Sequence, residues 1–316
     1  SKGNFFTMRE LYTKHGADVV RLAAANAGEG IDDANYDMQF LSTARKKLDD
    51  LYEFITESHG KGRETTMHID SWFTSVLHES ILKTTSALDG NLYKSALQVC
   101  FLDLSRHLKW YLKRTNGNPQ KNLISLYVDV QLRLLTPFVP HFCEECWWLI
   151  KGKGFISSAP WPQADTQLIK PEMTFGEGLI RDTMGDIREV LKLAKISSPQ
   201  KITLFVSAPW KYTLFVKVHK LLEKSQDSKE VMQGVMKEGS LKKYGKEISR
   251  FLPKMVGSRR VPSIGLSHKD EMITLQEGAA FIAEEFGCSV DVVSAEGSKE
   301  TKAGQANPGK PAILVE

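Results

Sequence analysis

Apolar residues recur at helical spacing from Thr7 to about Ile150, separated by short polar breaks. Thr7 followed by Glu10 has the form of a capping box, and Gly16 closes the short helix it opens. A second helix is predicted through Val19, Val20, Leu22 and Ala23. After the Gly28-Glu29-Gly30 break, Leu41, Ala44, Leu48, Leu51, Tyr52 and Ile55 fall on one face of a long helix. Further helices are predicted from Trp72 to Leu88, Leu92 to Leu112 and Leu123 to Leu135. They end at Asp89-Gly90, at Asn116-Gly117-Asn118-Pro119 and before Pro137 and Pro140. Connections this short predict antiparallel helices packed as a bundle.

Pro160, Pro162 and Pro171 mark a boundary between Gly152 and Pro171, and beyond it the period changes. Arg181 to Leu193 is predicted helical, whereas the β-branched run Lys201 to Val206 between two prolines predicts a strand. Helices at about 211–224 and 240–252 precede an expected Gly/Pro-rich hinge at 253–265. Helix 277–286, a strand from Ser289 to Val293, a loose hairpin tip at 297–305 and a terminal strand from Ala312 to Val315 complete the pattern. The fold class expected is mainly α, a helical bundle followed by a small α/β C-terminal domain.

Composition narrows this only modestly. A chain of 316 residues holds two or three domains, and 41% hydrophobic with 25% charged residues is ordinary for a soluble globular protein. No run approaches the ~18 apolar residues of a membrane span. The start resembles neither a signal peptide nor an initiating methionine, so residue 1 reads as a cut in a longer chain. A net charge of +4 and a pI near 8.7 permit an anionic partner but do not require one. Cys100, Cys143, Cys146 and Cys288 are too few and scattered to staple the chain, and no N-x-S/T acceptor occurs, which favours a reducing cytoplasm.

Four G-x-G pairs occur at Gly28/Gly30, Gly60/Gly62, Gly152/Gly154 and Gly176/Gly178. The third glycine of a dinucleotide fingerprint is replaced by Asp33, Thr65, Ser157 and Arg181, so all four pairs read as turns. His141, Cys143 and Cys146 share a helix side, but a tetrahedral zinc site wants four ligands, and the preferred reading is buried thiols beside Trp147 and Trp148. No metal site is assigned. Glu144 and Glu145 read as helix-face carboxylates.

The basic stretches carry more. Arg106, Lys109, Lys113 and Arg114 interleave with Trp110 and Tyr111, a mixture that suits phosphates and an exposed base as well as it suits a solvated face with its aromatics turned inward. From Lys237 to Arg260 eight Lys/Arg stand against two Glu. Leu241, Tyr244, Ile248, Phe251, Leu252 and Met255 form the apolar stripe there, which leaves Lys242, Lys243, Lys246, Arg250 and Lys254 on the wet side, with Arg259 and Arg260 beyond. The excess of one sign points to phosphate contacts.

Ser1-Lys2-Gly3-Asn4 resembles the tail of the mobile K-M-S-K-S loop of class I aminoacyl-tRNA synthetases, with Ser1 as its last serine and Lys2 beside it. His15-Gly16-Ala17-Asp18 with Arg21-Leu22 is similar to the segment that follows that loop. Pro137-Phe138-Val139-Pro140-His141-Phe142 with Glu144-Glu145-Cys146-Trp147 resembles the helix of the family's anticodon-binding bundle, although Cys146 replaces an aliphatic residue. Ser158-Ala159-Pro160-Trp161-Pro162 matches the "WP" strand end that usually follows. Asp186-Ile187-Arg188, Ala208-Pro209-Trp210-Lys211 and Pro308-Gly309-Lys310-Pro311 look like the extension of the archaeal and eukaryotic cytoplasmic leucyl-tRNA synthetases.

The resemblance implies the tRNA-binding part of an enzyme that leucylates tRNA(Leu) with ATP and Mg2+. The catalytic nucleotide fold and the editing domain would precede Ser1, and none of the catalytic residues would lie in this chain, which alone would be inactive and bind no cofactor. Residues 1–36 would be a stem-contact segment, 37–165 an anticodon-binding-type bundle and 166–316 a C-terminal tRNA-recognition domain touching the long variable arm. The partners implied are tRNA(Leu) and the enzyme's own catalytic half, with no membrane. An isoleucyl or valyl enzyme fragment, a non-catalytic paralogue and a split subunit are the alternatives.

Overall fold

The capping chemistry legible in the sequence starts the first helix. In α1 (Met8–His15) the Thr7 hydroxyl accepts the Glu10 amide at 3.2 Å, and the Glu10 carboxylate accepts the Thr7 amide at 2.8 Å. Gly16, at φ +85°, turns the chain directly into α2 (Ala17–Asn26), a backbone angle that side chains bearing a Cβ resist. The structure, a computed structural model, describes residues 7–30, 35–223, 227–258 and 265–316. It divides into two compact units, Ser1–Lys170 and Pro171–Glu316.

In the first unit, α3 (Met38–Ser58) buries Leu41, Ala44, Leu48, Leu51 and Ile55, whereas Tyr52, read into the same stripe, is exposed. Tyr52 lies one helical step off the line that Leu48, Leu51 and Ile55 follow. α4 (His68–Asp89), α6 (Leu104–Arg114) and α7 (Lys121–Leu135) close a core around Trp72, Phe73, Tyr111 and Tyr127, with Phe73 and Tyr111 stacked at 4.5 Å. The single helix expected from Leu92 to Leu112 is interrupted. After α5 (Tyr93–Leu97) comes a π-helical turn, Gln98–Asp103, and the Cys100 carbonyl there accepts the buried Gln131 amide at 2.7 Å. That bond satisfies an acceptor the widened turn exposes to the core. α8 (Pro140–Leu149) completes the bundle.

The second unit opens with α9 (Pro171–Ala194), which starts at Pro171 rather than near Arg181. Proline suits a first helical turn, so the expected boundary is a helix start. Gly176 and Gly178 therefore lie inside a helix and are not turns. β1 (Lys201–Val206) is followed by α10 (Pro209–Leu222), α11 (Ser228–Met236), a 3-10 turn at Gly239–Tyr244, α12 (Gly245–Ser258) and α13 (His268–Phe286). The sheet is completed by β2 (Ser289–Ser294) and β3 (Ala312–Val315). The strand order is β2-β1-β3, with β1 and β2 parallel from Lys201↔Ser289 to Val206↔Ser294 and β3 antiparallel to β1.

Residues 297–305 are thus not a hairpin tip, because β2 and β3 flank β1 instead of pairing, and the segment carries a 3-10 turn at Thr301–Gln305. α12 runs through Pro253, where a hinge was expected, and α13 begins at His268. A second core joins α10, α11 and α12 through Leu214, Phe215, Val231, Val235, Ile248 and Leu252.

Candidate nucleic-acid interface

Two separated stretches, 15–21 and 137–142, meet in the first unit. Asp18 at the start of α2 accepts the Phe142 amide at 2.7 Å and pairs with the His141 ring at 2.9 Å. Arg21 donates to the carbonyls of Phe138 at 2.9 Å and Pro137 at 2.7 Å. The charged residues of one segment therefore hold the proline-rich entry to α8. Further along, Glu144 accepts the amides of Ile156 and Ser157 at 3.0 and 3.1 Å, so it anchors a loop and is not half of an acid/base pair. The Trp161 indole donates to Thr85 at 2.8 Å. Cys100, Cys143 and Cys146 are buried free thiols, and burial raises all three, Cys146 to about 12. Such thiols are inert as nucleophiles or ligands. Among the described residues no three His, Cys, Asp or Glu side chains gather as a metal site.

The α6 cations divide by position. Arg106, Lys109 and Lys113 are exposed, Trp110 and Arg114 are half-buried, and Arg106 is paired with Asp103. Tyr111 is turned fully inward, where its hydroxyl donates to Asp70 at 2.7 Å and accepts the Gln120 amide at 3.0 Å. Asp70 is also bonded to Arg63, so this aromatic belongs to a buried polar network and not to a base platform. Lys47 on α3 joins the same patch unannounced by the sequence. Burial and the nearby Lys109 and Arg106 hold its ammonium below the usual lysine range, against the pull of Asp50. Lys47 and Lys109 line a cleft of 310 Å3 that also carries Asp50, Glu53 and Glu57. The patch is therefore cationic toward α6 and mixed toward α3.

In the second unit the predicted stripe turns inward in part, with Tyr244 and Phe251 half-buried. Leu241, Ile248 and Leu252 are buried, and Lys242, Lys243, Lys246 and Arg250 are exposed, none in an ion pair among the described residues. The Lys243 ammonium rests 4.8 Å from the Tyr244 ring, which also stacks on Trp210 at 4.6 Å. Unpaired cations on an exposed face raise the local potential toward phosphates. Ser1, Lys2, Arg259, Arg260 and the side chains of Lys254 and Met255 lie outside the described residues.

Residues 70–204 match the family described as the anticodon-binding domain of tRNA ligase. The leucine–tRNA ligase of Pyrococcus horikoshii is 31% identical over 100% of this chain and 32% of its own length. That of Methanococcoides burtonii is 32% identical over 100% of this chain and 34% of its own length. A solved ternary complex of a leucyl enzyme from Agrobacterium radiobacter K84 with tRNA has a TM-score of 0.46 at 20% identity, covering 54% of this chain and 22% of that one. The chain spans about a third of the length of the curated relatives it matches.

Proposed function

We propose that this chain, which matches leucine–tRNA ligases over its whole length, is the C-terminal part of such an enzyme and holds tRNA(Leu). The observation that carries this is that the whole chain matches about a third of those ligases, and the unpaired cations of the second unit supply the physical means. Within the reading, residues 1–36 contact the stem, residues 37–165 form the anticodon-type bundle and residues 166–316 engage the variable arm. Arg106, Lys109, Trp110, Lys113 and Arg114 act in the bundle, and Lys242, Lys243, Lys246, Arg250, Arg259 and Arg260 beyond it. Phosphate contacts of this kind position an RNA without reading its sequence.

The remaining partner is the catalytic half of the same enzyme, which takes ATP and Mg2+, and no residue of these 316 is assigned to hold either. The 316 residues alone are expected neither to activate leucine nor to charge tRNA, and leucine-dependent ATP/pyrophosphate exchange by the purified chain would overturn that part. The cytoplasm is the proposed compartment, in keeping with four free cysteines. Among the described residues no helix is long and apolar enough to cross a membrane.

Filter binding of the chain to tRNA(Leu) and to a tRNA with a short variable arm, at physiological salt, tests the assignment. Preference for tRNA(Leu) is expected. Equal affinity for the two would remove the leucyl reading and return the isoleucyl and valyl ones.

A further inference from the structure

One cavity of the second unit lies beside the exposed cations described above. It measures 380 Å3, within the range of small-ligand sites, and is walled by Trp210, Lys211, Glu247, Arg250 and Phe251. Ala208 and Ala295, also on its wall, lie just past the carboxyl ends of the parallel strands β1 and β2. Open α/β sheets receive ligands at that edge. α10 begins there too, and its cap residue Ala208 supplies no side-chain acceptor to the helix amides.

Lys211 is 8% exposed, and its ammonium donates to the carbonyls of Gly304 at 2.9 Å and Ala306 at 2.5 Å. It stands 5.4 Å from the Phe251 ring and 5.9 Å from the Trp210 ring. Among the described residues no carboxylate pairs with it. A buried cation held only by neutral dipoles and ring faces is costly, and an anion entering the cavity removes that cost. Burial lowers the affinity of this ammonium for its proton, in keeping with an unmet charge. Arg250 at the rim is exposed and likewise unpaired. An inorganic anion would leave the two aromatic walls facing water, whereas a base would cover them.

We propose that this cavity takes one ribonucleotide: its phosphate against Lys211 and Arg250, its base against Trp210 and Phe251, and a ribose hydroxyl or exocyclic amine donating to Glu247. The preferred source is an unstacked nucleotide of bound RNA, and this choice rests on the RNA-binding reading of the second unit. A free nucleoside monophosphate has the same chemistry.

The 316-residue chain is titrated with AMP, GMP, inorganic phosphate and tRNA(Leu), followed by tryptophan fluorescence and equilibrium dialysis. A base-bearing ligand is expected to bind at least tenfold tighter than inorganic phosphate. Its fluorescence change should vanish in Trp210→Phe while binding persists. Lys211→Met is expected to lose tenfold or more. Because Lys211 also ties down Gly304 and Ala306, Gly304→Leu is the second variant. Gly304 lies on the cavity wall and an added Cβ there meets no atom within 4 Å, so this change adds apolar bulk at the wall and removes no charge. Weaker tRNA(Leu) binding by Gly304→Leu assigns the site to RNA, and lost AMP or GMP binding with unchanged tRNA affinity assigns it to a free nucleotide. If Gly304→Leu binds every ligand as the parent chain does, the cavity proposal fails, while salt-dependent tRNA binding would still support the broader reading.

Discussion

Trp147 occupies space that Gly152 leaves for it: a Cβ added at Gly152 would lie 2.1 Å from the indole. The ring is 8% exposed, donates to the Lys153 carbonyl at 3.4 Å and lies under the Arg133 guanidinium at 5.4 Å. Trp147→Ala is expected to cost about 3–5 kcal/mol in denaturant unfolding of the first unit, and an unchanged midpoint would remove its anchoring role. Glu271 poses a different question, because it is 1% exposed and accepts the Gly309 amide at 2.8 Å beside the Tyr212 hydroxyl. Burial raises its carboxyl above the ordinary glutamate value. Between that value and the raised one, the folded unit keeps a proton that the unfolded chain releases, so stability falls as pH rises through the window. Glu271→Gln keeps the oxygen that accepts from Gly309 but cannot ionise. It should raise the thermal midpoint near neutral pH and flatten the slope below it, and parallel pH profiles for the two proteins would refute this.

At the scale of elements, α9 and α13 approach closely because of two glycines. A Cβ at Gly278 would meet Ile180 at 2.9 Å, and one at Gly176 would meet Thr274 at 3.2 Å. Gly278→Val is expected to cost about 1–3 kcal/mol by overpacking, measurable as a lowered midpoint of the second unit. The elements legible in the sequence included α1, α2, α3, α4, α7 and α10 and all three strands, each with a clear stripe, cap or β-branched run. α11 was not, since only Val231 and Val235 of its nine residues are buried core and Gly234 breaks the pattern. The first half of α9 was hidden by reading Pro171 and its glycines as punctuation. The exposed cations were legible because charge next to an apolar stripe needs no tertiary knowledge. Lys47 and Lys211 were not, since their meaning depends on elements distant in sequence, such as the 301–305 turn that meets the start of α10.

Across the whole molecule, a net charge of +4 conceals how unevenly the charge is spread. The stretch from Lys237 to Arg260 alone exceeds that total, and a face of this kind acts through released counterions. Replacing Lys242, Lys243, Lys246 and Arg250 by Glu is expected to weaken tRNA(Leu) binding. It should also flatten its log-log salt dependence by about 0.7–0.9 for each phosphate the protein no longer neutralises. A slope that stays put would clear this face of phosphate binding. The sheet carries a consequence for how the chain is made. β1 is apolar through Ile202, Leu204, Phe205 and Val206, and it sits between two strands that both follow it by way of α10 to α13. A ribosome therefore delivers the centre of the sheet long before either edge, while the helices of the first unit find partners among near neighbours. Nascent chains stalled before Ser289 should present 201–206 as an unpaired, sticky ribbon, so this six-residue strand marks where the newborn protein most needs a chaperone.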